Sequence, residues 1–155
     1  MSSEPREMKP PSSHFLILLA EDEPADAHLL RLALIEGGVE VDLEHVADGR
    51  EALEYLRQQG HRFAHARRPD LILLDLNMPR MDGREFLAAV KEDGALCDIP
   101  VVVLSTSEVE RDVVAAYRLG AAGYLAKSPD VTEFTEEIRQ LTAYWACPER
   151  LPDQH

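Results

Sequence analysis

Five polar side chains of this chain stand at the ends of short apolar runs: Glu21, Asp22, Asp75, Ser105 and Lys127. Carboxylates that cluster repel one another, and each resists ionisation unless a cation lies between them. Mg²⁺ is usually held by one or two carboxylates together with phosphate oxygens and water. No soft ligand accompanies these residues, so zinc and copper are disfavoured. If the five side chains meet, they predict a magnesium site.

The same residue types also predict a reaction. A carboxylate beside magnesium and a lysine is suited to attack phosphorus. The metal would neutralise the incoming oxygens and align the group for in-line transfer. Lys127 would hold a phosphoryl oxygen as a compact positive charge, and the hydroxyl of Ser105 would donate a hydrogen bond to another. The chemistry expected of this set is therefore phosphoryl transfer to a carboxylate.

These side chains can meet only if the apolar runs before them are neighbouring strands. The runs Phe15–Ala20, 71–74 and 101–104 are continuous, as in strands buried on both faces, whereas 39–46 alternates with period two. Amphipathic helical patterns separate the runs, so that strand and helix alternate five times. This order predicts an α/β fold with a doubly wound five-stranded parallel sheet, whose ligand crevice lies at the carboxyl ends of the strands.

The composition narrows the class of protein. The chain has 155 residues, and 16 Lys and Arg against 29 Asp and Glu give a formal net charge of -13, so nucleic acid and anionic membranes would repel it. The apolar runs are too short to span a bilayer, and no secretory signal is visible. We therefore expect a cytoplasmic protein with no direct nucleic-acid or membrane partner. Its single domain is expected at 14–145, between a disordered N-terminal tail at 1–13 and a C-terminal tail at 146–155.

Taken together, the motifs resemble the response-regulator receiver domain of the chemotaxis-regulator type. The residues that carry the resemblance are Glu21-Asp22, Asp75-Leu76-Asn77-Met78-Pro79-Arg80-Met81-Asp82-Gly83, Ser105 and Lys127. The resemblance covers residues 14–143. It implies a (βα)5 flavodoxin-like receiver fold and a phosphorylated switch in a two-component phosphorelay, rather than an enzyme.

The resemblance also implies roles for the residues of the acidic site. Asp75 resembles the phosphoacceptor aspartate, and Asp22 resembles the direct magnesium ligand. Glu21 would act on the metal through water, and Asn77 resembles the residue whose backbone carbonyl binds it. Lys127 resembles the lysine that contacts the phosphoryl group.

Three further residues resemble parts of the family's switch. Ser105 matches the hydroxyl that turns toward the phosphoryl group, and Tyr124 matches the aromatic residue that swings inward with it. Gly83 matches the glycine that closes the loop after the phosphoacceptor. Phosphorylation is then expected to change the surface of the fourth helix, at 109–119, the fifth strand and the fifth helix. The family commonly dimerises through this surface, and a homodimer is expected here.

A narrower resemblance concerns the small response regulators that pair with bacterial phytochromes. It rests on the pair Glu21-Asp22, on the segments 68–77, 82–85, 100–107 and 124–128, and on the long loop at 60–69. It implies that a sensor histidine kinase, a bacterial phytochrome, donates the phosphoryl group. The output would pass to another protein, whose identity the sequence does not give.

The chain departs from the wider family in two places. Glu21 replaces an aspartate, and Ser128 separates Lys127 from Pro129, so the cis peptide that usually follows the lysine is in question.

Two other function classes stay open. A magnesium-dependent phosphatase would need a second aspartate as general acid where Asn77 stands. A phosphate-independent interaction module would be indicated by loss of magnesium binding.

Overall fold

The computed structural model describes residues 15–36, 41–76, 83–105, 118, 120–127 and 130–146. Five strands form one parallel sheet in the order β2-β1-β3-β4-β5. The strands are β1 Phe15–Ala20, β2 Val41–Val46, β3 Leu71–Asp75, β4 Val101–Ser105 and β5 Gly123–Ala126. The helices among the described residues are α1 Pro24–Glu36, α2 Gly49–Leu56, α3 Gly60–Phe63, α4 Gly83–Glu92 and α5 Val131–Ala146. The predicted doubly wound, five-stranded parallel sheet is confirmed.

The central strands are buried on both faces because their side chains alternate between two cores. Leu18 and Ile72 belong to the core under α2 and α4, whereas their neighbours Ile17 and Leu73 belong to the core under α1 and α5. A polar side chain within β1, β3 or β4 would therefore be buried on either face, and the polar residues stand at the strand ends instead.

The last helix, α5, packs one apolar stripe against the sheet. Phe134 and Ile138 of α5 are buried in the core shared with α1, and Leu141 and Trp145 pack against that core while partly buried. Tyr144, the neighbour of Trp145, is 51% exposed. The two rings meet edge to face, with their centroids 5.4 Å apart.

The segment 60–69 differs from the polar loop that the sequence predicted, because it begins with the one-turn helix α3. Phe63 of α3 is buried, and its ring meets the ring of Tyr55 edge-on at 5.5 Å between centroids. The guanidinium of Arg62 lies 4.7 Å from the centroid of the Phe63 ring. A segment whose composition favours a loop thus contains a helical turn whose buried aromatic residue packs on the preceding helix α2.

Several predicted features lie outside the described residues: the tail at 1–13, Asn77, most of the helix at 109–119, Ser128 with Pro129, and residues 147–155. The last helix continues through Ala146, which the sequence assigned to the C-terminal tail.

Of the helices in the described part of the chain, none combines the length and hydropathy needed to cross a membrane. The cytoplasmic location stays a prediction.

Candidate functional site

Four of the predicted site residues meet at the carboxyl edge of the sheet. Glu21 and Asp22 follow β1, Asp75 ends β3, and Lys127 follows β5. Ligand oxygens of Glu21, Asp22 and Asp75 lie within 4.8 Å of one another. The Lys127 Nζ lies 2.6 Å from Glu21 Oε1 and 3.5 Å from Asp75 Oδ2. One ammonium therefore bridges carboxylates that come from two different strand ends.

The strand register explains why these ends coincide. Asp75 lies beside Leu104 of β4, and Ser105 lies beside Ala126 of β5. β3 therefore extends one residue past the end of β1, and β4 extends one residue past the end of β3, whereas β4 and β5 end at paired residues. The backbone of Ser105 is placed at this edge, next to the residue that precedes Lys127.

Gly83 lies against the backbone of the predicted phosphoacceptor. Its N–H donates a 2.9 Å hydrogen bond to the carbonyl oxygen of Leu76. A Cβ at this position would lie 2.6 Å from the carbonyl oxygen of Asp75 and 2.6 Å from the Cα of Leu76. Only glycine lets α4 begin this close to the end of β3, which gives a steric reason for the glycine that follows the acidic motif.

The structure adds one carboxylate that the sequence reasoning did not find. Asp26, the third residue of α1, has its Oδ2 3.0 Å from Lys127 Nζ. A signal was available, because Asp26 lies in the first turn of the helix that follows Glu21 and Asp22. What the sequence did not give is the direction of α1 relative to β5.

Comparison of the sequence with protein families shows which kind of domain has this site. The pattern described as "Response regulator receiver domain" matches residues 17–139. The chain belongs to the response-regulator receiver family. The resemblance stated from the motifs is confirmed, and the matched range includes all the residues of the site described above.

Individual receivers similar to this chain are response regulators of phytochromes and their relatives. Response regulator Rcp1 of Synechocystis sp. is 40% identical over 146 residues, which cover 94% of this chain and 97% of Rcp1. The crystal structure of the phosphorylated cyanobacterial phytochrome response regulator RcpA is 45% identical with a TM-score of 0.83, covering 90% of this chain and 99% of RcpA. The Mn²⁺-bound form of Rcp1 is 41% identical with a TM-score of 0.80, covering 88% and 98%. This receiver is a response regulator, and it signals through phosphorylation.

The receiver's acidic site has more negative than positive charge. Burial raises the pKa of Glu21 to about 7; the hydrogen bond from Lys127 lowers it, and the charge of Asp75 raises it further. Desolvation, together with the charge of Asp75, also raises the pKa of Asp22. Burial would lower the pKa of Lys127, but its hydrogen bond to Glu21 and the charges of Glu21 and Asp75 raise it above its usual value. The lysine thus stays charged, while Glu21 and Asp22 resist full ionisation.

A divalent cation fits this donor set. The three clustered oxygens are hard ligands, and Asp22 is exposed, so that an ion and its waters can reach it. The backbone of Glu21 is positioned by β2, because the His45 ring Nε2 is hydrogen-bonded to the backbone carbonyl oxygen of Glu21 at 2.7 Å. Receivers bind divalent metal, and the similar receiver Rcp1 has been solved in a Mn²⁺-bound form. A cation would relieve the repulsion by Asp75 that, in addition to burial, raises the pKa values of Glu21 and Asp22.

Proposed function

We propose that this receiver accepts a phosphoryl group on Asp75 from the phosphohistidine of a sensor histidine kinase. The observation that carries the proposal is the convergence of Glu21, Asp22, Asp75 and Lys127 at one edge of the sheet. Asp75 is 5% exposed at the end of a central strand, where the surrounding groups can orient a phosphoryl group on its oxygen.

The metal in this proposal is Mg²⁺. Asp22 and Asp75 would hold it together with the backbone carbonyl of Asn77, and Glu21 would act through a bound water. When bound, the ion supplies positive charge to the phosphoryl oxygens. The clustered carboxylate oxygens support this choice of a hard cation.

The protein's own groups carry the transfer. A carboxylate oxygen of Asp75 attacks phosphorus, and the bond from phosphorus to the kinase histidine breaks as the new P–O bond forms. The electron pair of the broken bond stays with the imidazole. Lys127 binds one phosphoryl oxygen as a point charge, and Ser105 donates a hydrogen bond to another. In this way the receiver assists its own phosphorylation, and with water as the attacking group its own dephosphorylation.

The switch would act through Ser105 and Tyr124. Tyr124 is half-buried on β5 and packs against the core under α2 and α4. As Ser105 turns toward the phosphoryl group, Tyr124 would move inward and alter the surface beside β5 and α5. The resulting change in affinity for a downstream protein would be the output.

The proposed kinase is a bacterial phytochrome. The support is the likeness to RcpA, a cyanobacterial phytochrome response regulator, over 90% of this chain and 99% of RcpA. The test is transfer from the purified, phosphorylated histidine kinase domain of a phytochrome to this receiver. A kinase of another sensory class that transfers faster would contradict the assignment.

We also propose a homodimer through the predicted helix at 109–119, the fifth strand and α5. Tyr144 of α5 is 51% exposed, whereas Trp145 packs partly buried against the core. Tyr144→Ala is therefore the variant that tests the interface without disturbing the core, and Trp145→Ala is the comparison that does disturb it. Light scattering that finds a monomer at high concentration, with and without phosphorylation, would refute the dimer.

The phosphoacceptor is tested by intact mass after incubation with a small phosphodonor, with and without Mg²⁺. One added phosphoryl group is expected on the wild type only when Mg²⁺ is present, and none on Asp75→Asn. Asp98→Asn, which removes an exposed carboxylate away from the site, is the matched control and should behave as wild type. An adduct that persists in Asp75→Asn would overturn the assignment.

A further inference from the structure

The ammonium of Lys127 has three carboxylate partners, and the proposed phosphoacceptor is the most distant of them. Its Nζ lies 2.6 Å from Glu21 Oε1 and 3.0 Å from Asp26 Oδ2, but 3.5 Å from Asp75 Oδ2. An ammonium has three N–H donors. One of the three is therefore directed to Asp26 on α1, at the edge of the site.

Asp26 differs from the other carboxylates in position. The side chains of Glu21, Asp75 and Lys127 are 2%, 8% and 11% exposed, whereas the side chain of Asp26 is 42% exposed. Asp26 thus lies at the rim of the site, on a different element from the strand ends. Among the described residues, the oxygens close enough to share one metal ion come from Glu21, Asp22 and Asp75 and not from Asp26. The geometry therefore relates Asp26 to the lysine and not to the cation.

We propose that Asp26 is a positioning residue that holds Lys127 toward α1 and competes with the phosphoryl group for its ammonium. The inference rests on the proposed function, because it concerns the same lysine and the same phosphoryl group. When a phosphoryl group arrives on Asp75, Lys127 must move toward it, and the hydrogen bond to Asp26 resists this movement. Asp26 thereby limits how readily the receiver becomes phosphorylated.

The size of the effect follows from the exposure of the pair. Ion pairs with one well-solvated partner are weak, so removing the charge of Asp26 is expected to speed phosphorylation by about two- to fivefold. The gain should shrink as ionic strength rises, because salt screens the attraction that is removed. Mg²⁺ affinity should change little, since Asp26 lies outside the metal cluster.

The experiment compares Asp26→Asn with two controls, using phosphoramidate as phosphodonor at saturating Mg²⁺. Asp26→Glu keeps the charge and should stay near the wild-type rate. Glu23→Gln removes an exposed charge from the connection between β1 and α1 and leaves the pair of Lys127 and Asp26 in place. In parallel, the ¹⁵Nζ resonance of Lys127 should move in Asp26→Asn and stay in place in Glu23→Gln.

The outcomes separate this inference from the proposed function. Faster phosphorylation in Asp26→Asn alone, with a displaced Lys127 resonance, is the expected result. Equal rates in Asp26→Asn and Glu23→Gln would mean that general charge repulsion acts, which overturns the positioning role. An unchanged or slower rate in Asp26→Asn overturns it as well. A wild type that takes up no phosphoryl group would instead refute the proposed function, and with it the competition for Lys127.

Discussion

Replacing Gly83 by alanine is expected to destabilise the fold and to slow phosphorylation together. The added Cβ would lie 2.6 Å from the Asp75 carbonyl oxygen and from the Leu76 Cα, whereas ordinary van der Waals contact begins at 3.4 Å. Both neighbours are backbone atoms, so no flexible side chain can turn away. The end of β3 or the start of α4 must move.

The magnitude combines two opposing effects. Forcing a methyl group into a packed site costs about 1–3 kcal/mol, whereas alanine at an unstrained position stabilises by about 0.4–1 kcal/mol through the unfolded chain. We expect a net loss of about 1–2 kcal/mol in the free energy of unfolding, which lowers the Tm of a chain of this size by roughly 2–8 °C. Because a shift of 1 Å at a reacting atom costs about 100-fold, phosphorylation should slow by roughly 10- to 100-fold.

The assay is urea unfolding followed by circular dichroism, together with the phosphorylation rate measured by intact mass. Gly94→Ala is the matched control, because a Cβ there meets nothing within 4 Å and the φ of Gly94 is not in the left-handed region. That variant should be as stable as the wild type or slightly more stable, and equally active. A Gly83→Ala protein that matches Gly94→Ala in both measurements would refute the steric reasoning.

Three other variants test the packing, a hydrogen bond and a helix cap. Ile138→Ala should lose about 2–5 kcal/mol of unfolding free energy, because Ile138 is fully buried. Ile35→Ala, at a 69% exposed helix position, should change the unfolding free energy by less than about 0.5 kcal/mol. Equal losses in urea unfolding would contradict the described cores. Tyr55→Phe removes a 3.0 Å hydrogen bond to the Arg67 carbonyl oxygen and should cost about 1 kcal/mol at pH 7. Burial raises the pKa of Tyr55 from 10.0 to about 12, so the stability that its neutral hydroxyl contributes is complete below pH 10 and is lost as the pH rises through 12; a constant difference between wild type and Tyr55→Phe across this range would contradict the shift. Asp48→Ala removes the N-cap of α2, whose side chain accepts from the third N–H of that helix, and should lower the Tm in step with a loss of about 1 kcal/mol; an unchanged Tm would show that the cap contributes nothing.

The sheet and the main part of the site could be predicted from the sequence for one physical reason. Strands buried on both faces cannot contain polar side chains, so β1, β3 and β4 appear as apolar runs and their ends are marked by the first charged or hydroxyl residues. Parallel strands end at a common edge, so the sequence alone predicts that Glu21 lies close to Asp75 and Lys127.

The features that were not predicted depend on how separate elements pack against one another. Asp26 reaches Lys127 because of the direction in which α1 leaves β1, and the pattern of α1 contains no information on that direction. The helical turn α3 accompanies a contact between Phe63 and Tyr55 on the preceding helix, which the composition of 60–69 does not reveal. The N-cap at Asp48, in contrast, has a local signal, since Glu51 follows it at the capping spacing.

The alternation of side chains along the central strands has a consequence for how the molecule opens. Each of these strands contributes to both cores, for example through Ile17 on one face and Leu18 on the other. One layer of helices therefore cannot detach without exposing the sheet that also supports the opposite layer, and loss of native structure should occur in a single cooperative step. The amides of β3 are expected to be among the slowest to exchange with solvent deuterium. Asp75 thus stands at the end of one of the most persistently ordered strands, so the movements that follow its modification must be carried by the residues beyond the strand ends.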